Sequence, residues 1–185
     1  MIFLDTETGG LDESRHPLLE VAWAVDDGDV QFIRFPHDVR QCDPRALQLN
    51  DYDERGLGDR HTWAKWWEIN VFWKALVDAT LCMSNPSFDE RFLLAYGRAN
   101  GHGRMSKVDV WKHRKVDIAC MAMPLLGYDE PKGLATIVTD LNALDYEVPA
   151  PTHGAVNDVL ALRAAYRALE DLAKTPQRWV TGVAG

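Results

Sequence analysis

The chain has 185 residues, of which 46% are hydrophobic and 26% charged, values typical of one globular domain spanning residues 1–185 and not of a disordered segment. No apolar run is long enough to cross a bilayer, the N-terminus lacks a basic signal-peptide segment, and the three cysteines form no paired motif, so we expect a cytoplasmic protein without a membrane partner. The net charge of −8 argues against nonspecific electrostatic binding along a nucleic acid, but it permits local binding of a nucleic-acid end through metal ions.

The N-terminal part of the chain predicts three strands. Met1–Leu4 forms a buried strand, Leu18–Val25 a second, and Val30–Phe35, after the turn signal at Asp26–Asp29, an alternating third. We expect these strands to form an antiparallel meander.

Two helices are predicted next. Asp43 followed by Pro44 is typical of an N-cap and first helical residue, and that helix should end near Asn50. Thr62 is expected to cap a longer helix with an apolar stripe that faces the core. We predict packing, in preference to base stacking, for its tryptophans. The stripe comprises Ile69, Phe72, Trp73, Leu76 and Val77, extended by Trp63, Trp66 and Trp67.

Strands and helices alternate in the rest of the prediction. Ser87–Glu90 has the S-x-x-E form of a capping box, and Val159, Leu162, Tyr166 and Leu169 form one stripe of the last helix. An α/β domain with a mixed sheet of five strands, an antiparallel meander followed by parallel strands, is therefore expected. The predicted elements are a strand over 80–84, a helix over 88–100, a strand over 115–119, a short helix from 133 and a helix over 155–173.

The first strand runs into "DTETGG", which places two acids beside each other. Asp5 and Glu7 are two residues apart, so along a strand both side chains face the same side. Taken alone, the stretch fits a solvated turn as well as a functional site. The D-x-D-x-T signature of haloacid dehalogenase-like phosphatases is a further alternative, although Glu7 is one methylene longer than the aspartate of that pattern.

Three more residues could join these two acids. Asp89 is predicted in the first turn of a helix, where the helix dipole alone would favour an acid. His153 and Asp158 converge only if the histidine lies just before the last helix and the aspartate about one turn inside it. Four carboxylates in one cleft would raise one another's pKa values unless cations balanced their charge, and oxygen ligands suit Mg²⁺ or Mn²⁺.

These motifs resemble those of the DEDD superfamily of 3′→5′ exonucleases, in its histidine-containing DEDDh branch, which includes the proofreading subunit of bacterial DNA polymerase III, ribonuclease T and oligoribonuclease. Glu20 in the second strand and Asp117 also fall where that family carries acids. The three motifs match at Asp5, Glu7, Thr8, Gly10 and Leu11, at Asn85, Phe88 and Asp89, and at His153, Ala155 and Asp158.

The resemblance implies a ribonuclease H-like fold and hydrolysis of phosphodiester bonds at nucleic-acid 3′ ends, releasing nucleoside 5′-monophosphates. It implies two Mg²⁺ ions, replaceable by Mn²⁺, and His153 as general base. The substrate is expected to be a nucleic acid with a free 3′ end, single-stranded by preference, and a polymerase or replication protein is a further expected partner. The implied metal ligands are Asp5, Glu7, Asp89 and Asp158, and the implied substrate-binding residues are Thr8, Leu11, Asn85 and Phe88.

Several alternatives stay open at this point. Leu11 and Phe88 fit either a stacking role against terminal bases or ordinary packing. The chain also fits a non-catalytic exonuclease-like module that binds a polymerase. The basic segment Arg104–Lys115 is either a solvated loop or a contact for upstream phosphates, with Trp111 available for stacking. The sequence does not distinguish DNA from RNA as substrate.

Overall fold

The computed structural model describes residues 1–101 and 110–175, which contain one mixed sheet. The strands lie in the order β3-β2-β1-β4-β5, in which the pairs β3–β2 and β2–β1 are antiparallel and the pairs β1–β4 and β4–β5 are parallel. The predicted meander and the predicted five-stranded mixed sheet are confirmed. The strands are β1 (Ile2–Thr8), β2 (Leu18–Val25), β3 (Gln31–Arg34), β4 (Leu81–Met83) and β5 (Val116–Asp117).

Two strands have bounds that differ from the prediction. Strand β1 continues past Leu4 to Thr8 because it pairs with β2 as far as the Thr8–Leu18 partners. The two acids are therefore ladder residues in the middle of the sheet, not residues beyond its tip. Strand β5 is shorter than predicted because Asp117 accepts hydrogen bonds from the N–H groups of Ala119 and Cys120 and so begins a helix.

Helices cover both faces of this sheet. Helices α4, α5 and α6 pack with Phe3 on one face, whereas α2 and α3 pack with Ile2 and Leu4 on the other. The predicted Asp43 cap of α1 and the predicted start of α6 are confirmed. Among the described residues, no helix combines the length and apolarity needed to cross a membrane. The helices are α1 (Pro44–Leu49), α2 (Trp66–Ala75), α3 (Pro86–Ala99), α4 (Ile118–Leu126), α5 (Leu134–Ala143) and α6 (Ala155–Lys174).

The predicted caps of α2 and α3 are wrong. Thr62 ends a short 3₁₀ turn, and α2 begins after Lys65, whose N–H donates to the Glu68 carboxylate at 2.7 Å. Ser87 lies inside α3, because Asn85 occupies the N-cap position and Pro86 the first helical position. The Ser87 hydroxyl donates to Asn85 Oδ1 instead of to the helix backbone.

The tryptophan cluster is only partly a packing feature. Trp66 and Trp67, the first two residues of α2, are 70% and 49% exposed, and their rings contact each other at 6.5 Å between centroids. Val77 is also exposed, since α2 ends at Ala75. The predicted core stripe is confirmed at Ile69, Phe72, Trp73 and Leu76.

The difference in burial between Phe72 and Trp66 predicts a difference in how much each side chain stabilises the fold. Phe72→Ala should lower the free energy of unfolding by about 3–5 kcal/mol, because it empties a fully buried site. Trp66→Ala in the same helix should cost at most about 1 kcal/mol, the value of one exposed aromatic contact. Urea unfolding of both variants tests this, and equal losses would contradict the assignment of Trp66 to the surface.

Candidate metal centre and adjoining cleft

Three acids from two elements meet on one side of β1. Alternation along the strand puts Asp5 and Glu7 on the same face as Phe3, which packs in the core shared with α6. Helix α6 brings Asp158 to them. Each of these three residues offers a carboxylate oxygen, and the three oxygens lie within 4.8 Å of one another. The group could hold a metal ion.

The start of α6 explains how Asp158 reaches this group. The helix begins at Ala155, so Asp158 lies in its first turn, and the Thr152 N–H donates to Asp158 Oδ1 at 2.8 Å. His153 lies just before the helix, exposed, with a left-handed φ of +55°. The arrangement required by their spacing, histidine before the helix and aspartate one turn inside, is confirmed. His153 is not itself a member of the three-carboxylate group.

Asp89 approaches from the opposite helix layer. It is buried in the first turn of α3, and its Oδ1 accepts a hydrogen bond of 2.7 Å from the Thr6 hydroxyl. Thr6 lies between the two acids of β1 and faces the other side of the sheet. The negative charge of Asp89 nevertheless adds to the rise in the pKa of Asp5. Asp89 is therefore close to the group of Asp5, Glu7 and Asp158, but it is held by Thr6 on the other side of the sheet.

Burial and mutual repulsion act together on these carboxyls. Burial, followed by the charges of Asp89 and Glu7, holds the pKa of Asp5 well above its ordinary value. Burial raises the pKa of Glu7 to about 8 and that of Asp89 to about 7, and it also raises the pKa of Asp158. A divalent cation would offset this cost, and an all-oxygen donor set suits a hard cation such as Mg²⁺ or Mn²⁺.

The glycine pair after β1 is required by close packing. A Cβ on Gly9 would lie 2.7 Å from Cys42 Sγ, and a Cβ on Gly10 would lie 2.5 Å from the His16 ring. The Gly9 carbonyl also accepts a hydrogen bond from the Asp43 N–H at 2.6 Å, which ties this turn to the start of α1. The turn leaves the Leu11 side chain 80% exposed.

A cleft of about 410 Å³ adjoins the acids between this turn, α1 and α3. Of the four residues predicted to bind substrate, Thr8, Leu11 and Phe88 line it, whereas Asn85 does not. Arg45 and Leu49 of α1 also line it, and no pattern in the sequence marked either residue. The full lining is Thr6, Glu7, Thr8, Gly10, Leu11, Asp43, Arg45, Ala46, Leu49, Asn50 and Phe88.

Two buried polar residues, Glu20 of β2 and Asn50 at the C-terminal end of α1, lie beside the site. Glu20 lies opposite Glu7 in the ladder and is 1% exposed, with ion pairs to Arg34 and Arg55. Asn50 is buried too, and its Nδ2 donates to the Thr8 carbonyl at 2.9 Å. The family motif indicated Glu20, but Arg55 lies in an irregular loop without a spacing signal.

The predicted basic segment is only partly available for phosphate binding. Its residues 104–109 lie outside the described part of the chain. Trp111 is 2% exposed and donates its indole N–H to Glu90, which rules out the stacking alternative for this residue. Lys115 is paired with the same carboxylate at 2.8 Å. Lys112, His113 and Arg114 are exposed.

No protein-family model matches the sequence, and no curated protein matches it. Among solved structures, the chain is similar to a structure of exonuclease I that suggests how processivity is achieved. The TM-score is 0.68 and the identity is 17%, over 92% of this chain and 40% of that chain. The zinc-bound form of an E. coli exonuclease I complex with single-stranded DNA gives a TM-score of 0.66 and 18% identity over 95% and 41%. Product-bound exonuclease I gives 0.65 and 15% over 92% and 43%.

These likenesses establish the fold. The mixed sheet with helices on both faces is the ribonuclease H-like fold, as predicted. The chain spans only 40–43% of the length of those exonuclease I chains. The product, the zinc ion and the single-stranded DNA named for those structures are ligands of those proteins.

The raised pKa of Glu7 makes the stability of the metal-free protein depend on pH. Burial raises this pKa from 4.5 to about 8, so the folded chain binds the proton more tightly than the unfolded chain does. Stability should therefore fall as the pH rises through that interval. In chelator at pH 8, Glu7→Gln should melt about 3–8 °C above wild type, and near pH 4 the two should nearly coincide.

The exposed acid Glu54 supplies the matched control, since Glu54→Gln should not change the melting temperature at either pH. Thermal unfolding followed by circular dichroism makes the comparison. A Glu7→Gln variant that is less stable than wild type at pH 8 would contradict the prediction.

Proposed function

We propose that this chain is a metal-dependent 3′→5′ exonuclease of the DEDDh type, which hydrolyses the terminal phosphodiester bond of a nucleic acid and releases a nucleoside 5′-monophosphate. The observation that carries the proposal is the group of carboxylate oxygens from Asp5, Glu7 and Asp158 within 4.8 Å, in a fold similar to that of exonuclease I. The complete set of acids favours catalysis over a module that only binds a polymerase, and the fold favours it over the phosphatase alternative.

We propose that two divalent cations bind at these acids, Mg²⁺ by preference. Asp5, Glu7 and Asp158 would hold one ion, and Asp89, beside Asp5, would help to hold the second. Bound divalent ions of this kind lower the pKa of the attacking water and stabilise the charge on the departing 3′ oxygen. The Thr6 hydroxyl keeps Asp89 oriented, and the Thr152 N–H does the same for Asp158.

His153 is the proposed general base. It is exposed at the N-terminal end of α6, so water and substrate have access to its ring. Burial raises the pKa of Asp158, and the charge of His153 opposes this rise. The imidazole is therefore close enough to interact with the Asp158 carboxylate. A neutral His153 would accept the proton of the attacking water.

The cleft beside Glu7 is the proposed site for the terminal nucleotide. Leu11 and Leu49, which are 80% and 54% exposed, line this cleft, and Phe88 lies between the cleft and the core, in contact with Phe92. Apolar and aromatic side chains of this kind stack on bases without reading their sequence. We therefore propose a single-stranded 3′ end as the substrate.

Nuclease assays test this function directly. End-labelled single-stranded DNA, duplex DNA and short RNA should be shortened from the 3′ end with Mg²⁺ or Mn²⁺ and remain intact in EDTA. Asp5→Ala and Asp158→Ala should abolish cleavage while the protein stays folded, whereas Asp29→Ala, at an exposed turn, should keep full activity. Cleavage that persists in excess chelator would rule out the metal-dependent mechanism.

The role of His153 has its own test. General-base assistance typically contributes about 10²–10⁴-fold to a rate, so His153→Ala should lower kcat by roughly that factor and leave KM nearly unchanged. His61→Ala, at an exposed histidine in the turn before α2, serves as the control and should keep the wild-type kcat. Near-wild-type kcat in His153→Ala would show that this histidine is only a neighbour of the metal-binding helix.

A further inference from the structure

The Arg55 guanidinium joins three separate segments beside the acids. It forms an ion pair with Glu20 of β2, and its Nη1 donates to the Asn50 carbonyl at 3.1 Å and to the His153 carbonyl at 3.0 Å. Asn50 ends α1, and His153 immediately precedes the start of α6. One side chain therefore connects the sheet, the cleft wall and the loop that carries the proposed base.

Glu20 fixes this guanidinium in place. Its carboxylate is 1% exposed, and it is held from the other side by Arg34, whose Nε donates to Oε2 at 3.0 Å. A buried carboxylate with two arginine partners leaves little freedom to either guanidinium, because separating a buried ion pair exposes an uncompensated charge. Arg55 is thus a rigid support.

The segment that Arg55 supports has an unusual backbone. His153 has a φ of +55°, a left-handed conformation that non-glycine residues rarely adopt and that persists where the surroundings hold it. A Cβ placed on the next residue, Gly154, would lie 3.5 Å from Arg55 Cζ. The guanidinium therefore lies against the backbone of both residues that connect Thr152 to α6.

We propose that Arg55 is a positioning residue for His153: anchored by Glu20, it holds the His153 carbonyl and so directs the imidazole towards the acids of β1. This inference rests on the proposed general-base role of His153. A planar fork of donors suits the task, since one guanidinium can meet a carboxylate and two carbonyls at once, whereas a lysine ammonium is a single point.

Arg34 offers a matched control. It binds the same Glu20 carboxylate through the other oxygen, but its Nη1 is directed to the Thr62 hydroxyl at 3.4 Å, away from His153. Arg55→Met and Arg34→Met therefore each remove one partner of Glu20, but only the first removes the contact to His153. Arg55→Lys provides a second variant that keeps the charge if Arg55→Met does not fold.

The experiment combines steady-state kinetics with nuclear magnetic resonance spectra of the metal-free proteins, in which the His153 ring signals are assigned from His153→Ala. Arg55→Met should lower kcat by about 10–100-fold, the cost of a misplaced catalytic group, with KM changed less than about threefold. It should also shift the His153 ring and Gly154 amide signals. Arg55→Lys should do the same to a smaller degree, and Arg34→Met, which leaves the hydrogen bond from Arg55 to the His153 carbonyl in place, should change kcat and both signals much less than Arg55→Met does.

Three results would overturn the proposal. Equal losses of kcat in Arg55→Met and Arg34→Met would mean that disturbing Glu20 alone is responsible. Unshifted His153 signals in Arg55→Met, or shifted signals with an unchanged kcat, would remove the positioning role. If the wild-type chain has no nuclease activity, the proposed function fails, and the spectra of Arg55→Met and Arg34→Met still decide whether Arg55 orients His153.

Discussion

Repulsion between carboxylates that the fold buries on its central strand is the constraint on which the rest of the site depends. Strand β1 lies between β2 and β4, so Asp5 and Glu7 face α6 from the middle of the sheet, where Glu7 is buried and Asp5 is only partly exposed. Burial of a charge without a partner is costly, and here several acids share the cost. Within residues 1–101 and 110–175, no ion pair involves Asp5, Glu7 or Asp158. The fold thus concentrates negative charge, which a bound proton or a bound cation would compensate.

The pleat of β1 explains how acids from two helix layers come near one strand. Asp5 and Glu7 face α6 and meet Asp158 there, while Thr6, between them, faces α3 and hydrogen-bonds Asp89. A strand covered on only one face would bring acids from one layer alone. Because β1 is covered on both faces, acids from opposite sides of the sheet come close enough for the charge of Asp89 to act on Asp5.

The features that the sequence predicted are those set by spacing over a few residues. Two acids separated by one residue share a strand face, and a histidine five residues before an aspartate places a helix start between them. Trp66, by contrast, has the spacing of a core residue. It is nevertheless exposed at the first position of α2, the helix in which Phe72 is buried. Arg55 was unpredictable for a related reason, since its contacts to Glu20 and His153 join residues far apart in the chain.

Glu7 and Glu20 show why composition alone does not identify a metal ligand. They are the same residue type, directly opposite each other in the ladder of β1 and β2, and both are buried. Two arginines pair with Glu20, which therefore has the charge compensation of a structural ion pair. The positive charge of Arg55 reaches Glu7 only at a distance, where it opposes but does not cancel the rise in the pKa of Glu7 caused by burial. The two arginines thus neutralise Glu20 and leave Glu7, the proposed metal ligand, without an ion pair among the described residues, so the difference between these two glutamates is decided outside the strands that carry them.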